Sequence, residues 1–214
     1  MTRIVAPGIV LLVAFLALGY WVSHGVPGID ATVAGATGDQ WAGTPGRIAT
    51  VLGAVLGPDL PIVALGALLV WAMVAWRRRH TDLAGLLVRA SALLVLCRLT
   101  SLFKGVYARA RPRDYPDWSF PSGHVVSVTS VAFTAIVLCA WLARPALRRC
   151  VVVSIAAVTL AAACRVVLAV HWLTDVLGGV LVVAGTGLLA ARVLTMLPVR
   201  DGSNGSPIGS RVTT

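Results

Sequence analysis

Charge is scarce in this chain. Of its 214 residues 12% are charged and 58% are hydrophobic, and a soluble domain of this size carries about twice that charge. Lysine is scarcer still. Seventeen of the eighteen basic residues are arginine, and the single lysine is Lys104. The four cysteines, Cys97, Cys139, Cys150 and Cys164, lie in or beside apolar segments and lack the spacing of a metal site, so they read as free, lipid-buried thiols. No internal repeat is visible. The first segment opens with Arg3 and an apolar run, but no small-x-small cleavage site stands near its end. It reads as a retained helix and not as a removed signal peptide.

What the chain has in abundance is apolar runs of the length that crosses a bilayer, about 20 residues each. Six spans are expected, at about 4–23, 60–76, 83–103, 122–142, 150–170 and 174–197. They form one all-α, integral membrane domain over residues 1–198, a six-helix transmembrane bundle. The Gly/Ser/Pro/Thr-rich tail at 199–214 reads as disordered. The net charge of +10 does not indicate nucleic acid, because the arginines sit in short groups between apolar segments and form no basic face.

Those groups set the orientation. Arg77–Arg79 follow the second span, Arg144, Arg148 and Arg149 the fourth, and Arg3 and Arg200 flank the ends. The excess of basic residues in cytoplasmic loops then puts both termini in the cytoplasm. Residues 24–59, 104–121 and 171–173 fall outside. Trp21, Trp118 and Trp172 near the outer boundary, with Trp71, Trp76 and Trp141 near the inner one, agree. Ile48, Val51, Leu52, Val55 and Leu56 repeat at helical spacing in the first outer loop. They describe either a helix lying in the membrane surface or the start of a long, proline-interrupted second span.

One basic group violates the orientation rule. Lys104, Arg109, Arg111 and Arg113 all fall on the outer side. Snorkelling to lipid phosphates is the simplest account. Three polar clusters at the same depth suggest another. Lys104 through Arg111-Pro112 is the first, Pro121-Ser122-Gly123-His124 the second, and Arg165, His171 and Asp175 the third. Lys104, Arg111 and Arg165 are three cations that repel one another unless an anion lies between them. Arginine offers a planar fork to phosphate oxygens, and lysine a slim point charge for a site with no room for another fork. Ser122 and Gly123 open a helix whose free N–H groups attract an anion, and Gly123 lets it approach closely. His171 and Asp175 are four apart on one helical face. A carboxylate on one ring nitrogen leaves the other free to attack phosphorus, with His124 placed to move the proton. Each feature alone has a plainer reading: a helix cap, a helix contact, a structural histidine.

Lys104-(six residues)-Arg111-Pro112, then Pro121-Ser122-Gly123-His124, then Arg165-(five)-His171-(three)-Asp175 resembles the three-part signature of the type 2 phosphatidic acid phosphatase (PAP2) superfamily. The six-span layout resembles its membrane lipid-phosphatase branch. The resemblance implies that Lys104, Arg111, Ser122, Gly123 and Arg165 bind phosphate. It implies that His171 becomes a phosphohistidine, that Asp175 orients it, and that His124 protonates the leaving group and then activates water. It implies neither metal nor cofactor. The family usually has Ser where this chain has Cys164, and a thiol is a poor hydrogen-bond donor.

The expected partner is a phosphorylated lipid in the membrane: phosphatidic acid, phosphatidylglycerol phosphate, lysophosphatidate or a polyprenyl diphosphate such as the undecaprenyl carrier. The Arg-rich, Ala/Val/Gly-heavy composition suggests a high-GC bacterium and its plasma membrane. The competing readings are a lipid phosphotransferase, a non-hydrolytic lipid-phosphate transporter or scaffold, and a vanadate-dependent peroxidase, whose known relatives are soluble. Arg89 and Arg98 fall inside the third span. Arg98 either extends the site toward a second phosphate or, like Arg89, pairs inside the bundle.

Overall fold

A computed structural model describes residues 2–197. Among these residues there is no strand, and six helices are long and apolar enough to cross a membrane. They are α1 (Thr2–Ser23), α4 (Leu60–Arg77), α5 (Thr81–Leu99), α7 (Gly123–Leu142), α8 (Leu147–Val167) and α9 (Leu173–Val193). Three shorter helices lie at one end: α2 (Gly28–Thr37), α3 (Thr44–Val55) and α6 (Lys104–Tyr107). The apolar residues of α1, α4 and α8 point outward as well as inward: Val10, Val13, Ile62, Val63, Val153 and Ile155 are all exposed. Such faces are stable only against lipid, where a helix satisfies its own backbone polar groups.

The core holds α9 at its centre, with α1, α5 and α7 packed around it. α1 and α9 approach closely because small residues face each other. A Cβ added to Gly185 would stand 2.8 Å from Leu12 and 3.0 Å from the Gly8 carbonyl oxygen, a contact of the small-residue kind that brings membrane helices together. Near one end, Phe15 stacks on Phe120 with centroids 5.4 Å apart, and Tyr107 meets Phe120 edge-on at 5.1 Å. This aromatic cluster, with Phe15 and Phe120 buried and Tyr107 half-buried, ties α1, α6 and the segment before α7 together, which fixes the loop 108–122 over the bundle.

The helix ends differ from the hydropathy reading. The fifth span, expected at 150–170, begins at Leu147, directly after a 3₁₀ turn at Arg144–Ala146, and stops at Val167 before the left-handed Ala169 (φ 50°). The sixth, expected at 174–197, stops at Val193 ahead of Thr195 (φ 54°). Residues 48–55 fall in a helix of their own, α3, broken from α4 between Leu56 and Asp59 within one apolar stretch, Thr44–Arg77. α3 ends at Leu56 (φ −91°, ψ 52°) and packs on α8 through Ala49, Cys164, Leu168 and Val170. The expected tail at 199–214 lies outside the described residues.

Candidate active site

The site forms where α5, α7, α8 and α9 end on the same side of the bundle. α6 is a single turn that starts on Lys104 and closes on the left-handed Ala108 (φ 43°). The Lys104 ammonium reaches Asp117 Oδ2 at 2.6 Å. A Cβ added to Gly123 would lie 3.6 Å from Lys104 Cε and 3.8 Å from Nζ, so the lysine tip rests over the first residue of α7.

Arg111 joins the loop to the α8–α9 turn. Its Nε donates to the Asp117 carbonyl (2.8 Å), Nη2 to the Trp118 carbonyl (3.1 Å) and Nη1 to the Val170 carbonyl (2.6 Å). Nη1 also lies 3.3 Å from His171 Nε2. Guanidinium nitrogens only donate, so Nε2 must accept and the His171 proton belongs on Nδ1. Nδ1 faces Asp175 Oδ2 at 3.5 Å, an ion-pair distance too long and poorly aimed for a hydrogen bond, and it has no other partner. Asp175 is the third residue of α9, and its Oδ2 accepts the Trp172 backbone N–H at 2.8 Å. That bond caps the helix start and fixes the carboxylate behind the imidazole.

Arg165 Nη1 lies 3.1 Å from His124 Nε2, which by the same logic is an acceptor. Ser122 precedes α7, but its hydroxyl makes no cap bond. It is fully buried and has no partner, while its N–H donates to the Asp175 carbonyl at 3.0 Å. The plain capping role is therefore not the one its side chain plays.

Lys104, Arg111, Gly123, His124, Arg165 and His171 line one cavity of about 340 Å³. Ser122 and Asp175, the other two residues singled out in the sequence, stand directly behind it. Burial drives the His171 pKa down to about 4, against the pull of Asp175 and with the push of Arg111 and Lys104. Burial raises Asp117, but its bonds from Lys104 and the Trp118 N–H outweigh this and hold it below the usual carboxylate range. The cavity is thus a cationic pocket with two neutral imidazoles, suited to an anion whose charge is spread over several oxygens.

A family model described as the PAP2 superfamily matches residues 83–198, more than half of the chain and all three clusters. The chain belongs to the PAP2 superfamily. Among solved structures it is similar to the crystal structure of the first transmembrane PAP2 type phosphatidylglycerolphosphate phosphatase from Bacillus subtilis. The TM-score is 0.66 at 18% identity, over 91% of this chain and 98% of that one. At that identity the likeness shows the fold. No curated protein matches the chain.

Several residues of this PAP2 site were not singled out in the sequence. Asp117 is one. Gly53 of α3 is another: a Cβ there would lie 2.8 Å from Arg165 Nη2, so the short helix backs a cavity cation. Arg109, noticed only as a cation on the wrong side, does not snorkel to lipid. It is 5% exposed and bonded to Asp30 and Asp175. Arg113 lies 4.2 Å from the Trp41 ring. Cys164 packs in the apolar cluster between α3 and α8 and does not line the cavity. Arg89 donates to the Gly85 carbonyl (3.3 Å) and to Thr195 Oγ1 (3.0 Å), so it pairs as expected with a backbone carbonyl, but through exposed contacts and not inside the bundle. Arg98 bonds Ser101 Oγ and lines the cavity.

Proposed function

We propose that this PAP2 protein is a membrane lipid phosphatase that hydrolyses a phosphomonoester or diphosphate of a lipid through a phosphohistidine. One observation carries the lipid part of this reading. The polar cavity shares Pro58, Arg98 and Ser101 with an apolar groove of about 420 Å³, lined by residues of α4 and α5 such as Ile62, Leu65, Leu94 and Val95. A phosphate among the cations would have its hydrocarbon chain in that groove. A water-soluble phosphate ester has no use for it.

In this mechanism Lys104, Arg111 and Arg165 bind the phosphoryl oxygens together with Ser122 and the Gly123 N–H. The His171 Nε2 lone pair attacks phosphorus while the Nδ1–H, which keeps its proton, donates a hydrogen bond to Asp175, whose carboxylate stabilises the imidazolium that forms. The bond from phosphorus to the leaving oxygen breaks, and His124, neutral in the empty site but protonated once the phosphate anion offsets the neighbouring cations, gives that oxygen its proton. Neutral His124 then takes a proton from water, the water oxygen bonds phosphorus, and the bond from phosphorus to Nε2 breaks to release inorganic phosphate. The cations neutralise the transferring group, so the reaction is expected to need no metal.

The arginine-rich connections after α4 and α7 lie at the opposite end from the cavity, which supports an extracytoplasmic site with both termini in the cytoplasm. The composition supports a bacterial plasma membrane, and the reading keeps residues 1–198 as one domain. Among substrates, a polyprenyl diphosphate is slightly preferred over phosphatidic acid and phosphatidylglycerol phosphate. The test is phosphate release by purified protein in detergent with EDTA, on all three lipids, with His171→Ala alongside. Release that survives EDTA and is lost in the variant supports the reading. Transfer of phosphate to another lipid would make the protein a phosphotransferase. No turnover of any lipid would favour a non-hydrolytic binding or transport protein.

A further inference from the structure

Behind the cavity lies a buried charge network in which the mechanism above uses only Asp175. Arg109 Nη1 bonds Asp175 Oδ1 at 2.5 Å and Thr174 Oγ1 at 2.7 Å. Its Nη2 bonds Asp30 Oδ2 at 2.7 Å. Thr174 completes the circuit: its N–H donates to Asp30 Oδ1 at 3.0 Å and its hydroxyl to Asp30 Oδ2 at 2.5 Å. The side chains of Asp30 and Asp175 are 0% exposed and that of Arg109 4%. Two carboxylates therefore share one guanidinium in a dry interior. With Asp30 and Asp175 ionised, the trio carries one surplus negative charge, and the nearest group able to offset it by taking a proton is His171, 3.5 Å from Asp175.

We propose that Asp30 and Arg109 are positioning residues for the candidate nucleophile: Asp30 draws part of Arg109's charge away from Asp175 and so leaves the Asp175 carboxylate free to support His171. The geometry fits this division. Arg109 holds Oδ1 of Asp175, and the Trp172 N–H shares Oδ2 with His171. Without Asp30, the full guanidinium charge would fall on Asp175, and the imidazolium would lose its counter-charge. Two buried carboxylates without Arg109 would instead repel each other. The network also explains a cation on the outer side of the bundle, where the orientation rule does not place one. The catalytic consequence rests on the phosphohistidine reading. The electrostatic one does not.

The other charged and titratable groups facing His171 are Arg111, Lys104, Tyr115 and Asp117 from the segment 104–118, His124 from α7, Arg165 from α8 and Arg98 from α5. None of them contacts Asp30, which lines one small pocket together with His171, so a change there reaches His171 across that pocket as well as through Arg109 and Asp175. The experiment is a histidine ¹⁵N NMR titration of the full chain in detergent, with His171→Ala to assign the His171 signal among the four histidines. Asp30→Asn should lower the His171 midpoint by about one unit, the scale of a nearby charge. The double variant Asp30→Asn/Arg109→Gln keeps the same net buried charge but frees Asp175 altogether, and should raise the midpoint above wild type. Where phosphate release is measurable, the acid limb of kcat/KM should move in the same two directions. A purely structural brace would lower the melting temperature of both variants and leave the midpoint in place, and that result overturns the proposal. Should the midpoints move as expected in a protein that releases no phosphate, the phosphatase reading fails and the electrostatic one stands.

Discussion

Replacing the single lysine with arginine tests whether the site needs a charge or a shape. Lys104→Arg keeps the charge at every working pH. What it changes is bulk. The Lys104 side chain is only 17% exposed, with its ammonium 2.6 Å from Asp117 Oδ2 and its tip over Gly123. The same cavity of about 340 Å³ already holds the forks of Arg111, Arg165 and Arg98. A fourth planar group must push into the loop 108–122 or into the space that the proposed reading gives to the phosphoryl oxygens. Overpacking of this kind costs about 1–3 kcal/mol. At tenfold per 1.4 kcal/mol, that becomes a loss of about 5- to 150-fold in kcat/KM if the strain falls on the bound state. Lys104→Gln removes the charge and leaves the size, and should lose at least as much. The assay is initial-rate phosphate release in detergent, with melting temperatures to separate misfolding from misplacement. Lys104→Arg within twofold of wild type, beside an inactive Lys104→Gln, would show that charge suffices and refute the argument from space.

Three further outcomes are expected. Gly53→Ala sets a Cβ 2.8 Å from Arg165 Nη2. The flexible guanidinium yields a few tenths of an ångström, so kcat/KM should fall about tenfold with little change in melting temperature, and an unchanged rate would show that α3 does not hold Arg165. Arg98→Gln should slow a lipid diphosphate about tenfold more than the monophosphate of the same lipid, the value of one lost charge-assisted bond; equal losses on both would remove Arg98 from substrate recognition. The His171 pKa near 4 lies below the ordinary 6.5, so the folded protein binds fewer protons than the unfolded chain between those values. Stability should therefore fall by about 3 kcal/mol as pH drops from about 6.5 to 4 and level off below. Melting curves of His171→Gln that keep the full wild-type slope across that window would assign the acid sensitivity elsewhere.

The parts of this molecule legible in its sequence are those where chemistry breaks an apolar background. Six long hydrophobic runs made the membrane bundle readable, Lys104 and Arg111 stood out as cations where the orientation rule places none, and His124, Arg165 and His171 as polar residues in or beside apolar runs. Helix ends were less legible for a definite cause. Hydropathy continues smoothly past Val167 and Val193, while the backbone turns at Ala169 and Thr195 through left-handed conformations that no composition signal marks. The boundary between α3 and α4 was legible, because the second span was expected from residue 60 and α4 starts at Leu60. Both are apolar, and only the break at Leu56, followed by Gly57 and Pro58, separates a helix backing Arg165 from one that lines the groove.

Acidic partners were hardest to see, because an ion pair leaves no local pattern. Arg109 was visible as a misplaced cation, yet its partner Asp30 is 79 residues away in an unremarkable loop helix. Scarcity supplies the missing constraint. The chain has eight acidic residues, all aspartate, and three of them, Asp30, Asp117 and Asp175, lie against the basic residues of the 104–111 segment. Each takes a different share. Asp117 is exposed and meets Lys104 at the cavity rim, whereas Asp30 and Asp175 are sealed inside with Arg109. Solvent screens the first pair and not the second. Added salt should therefore loosen the Lys104–Asp117 contact while leaving the buried trio intact. On the proposed reading, the rim then exchanges its aspartate for the phosphate of the lipid without disturbing the charges that stand behind His171.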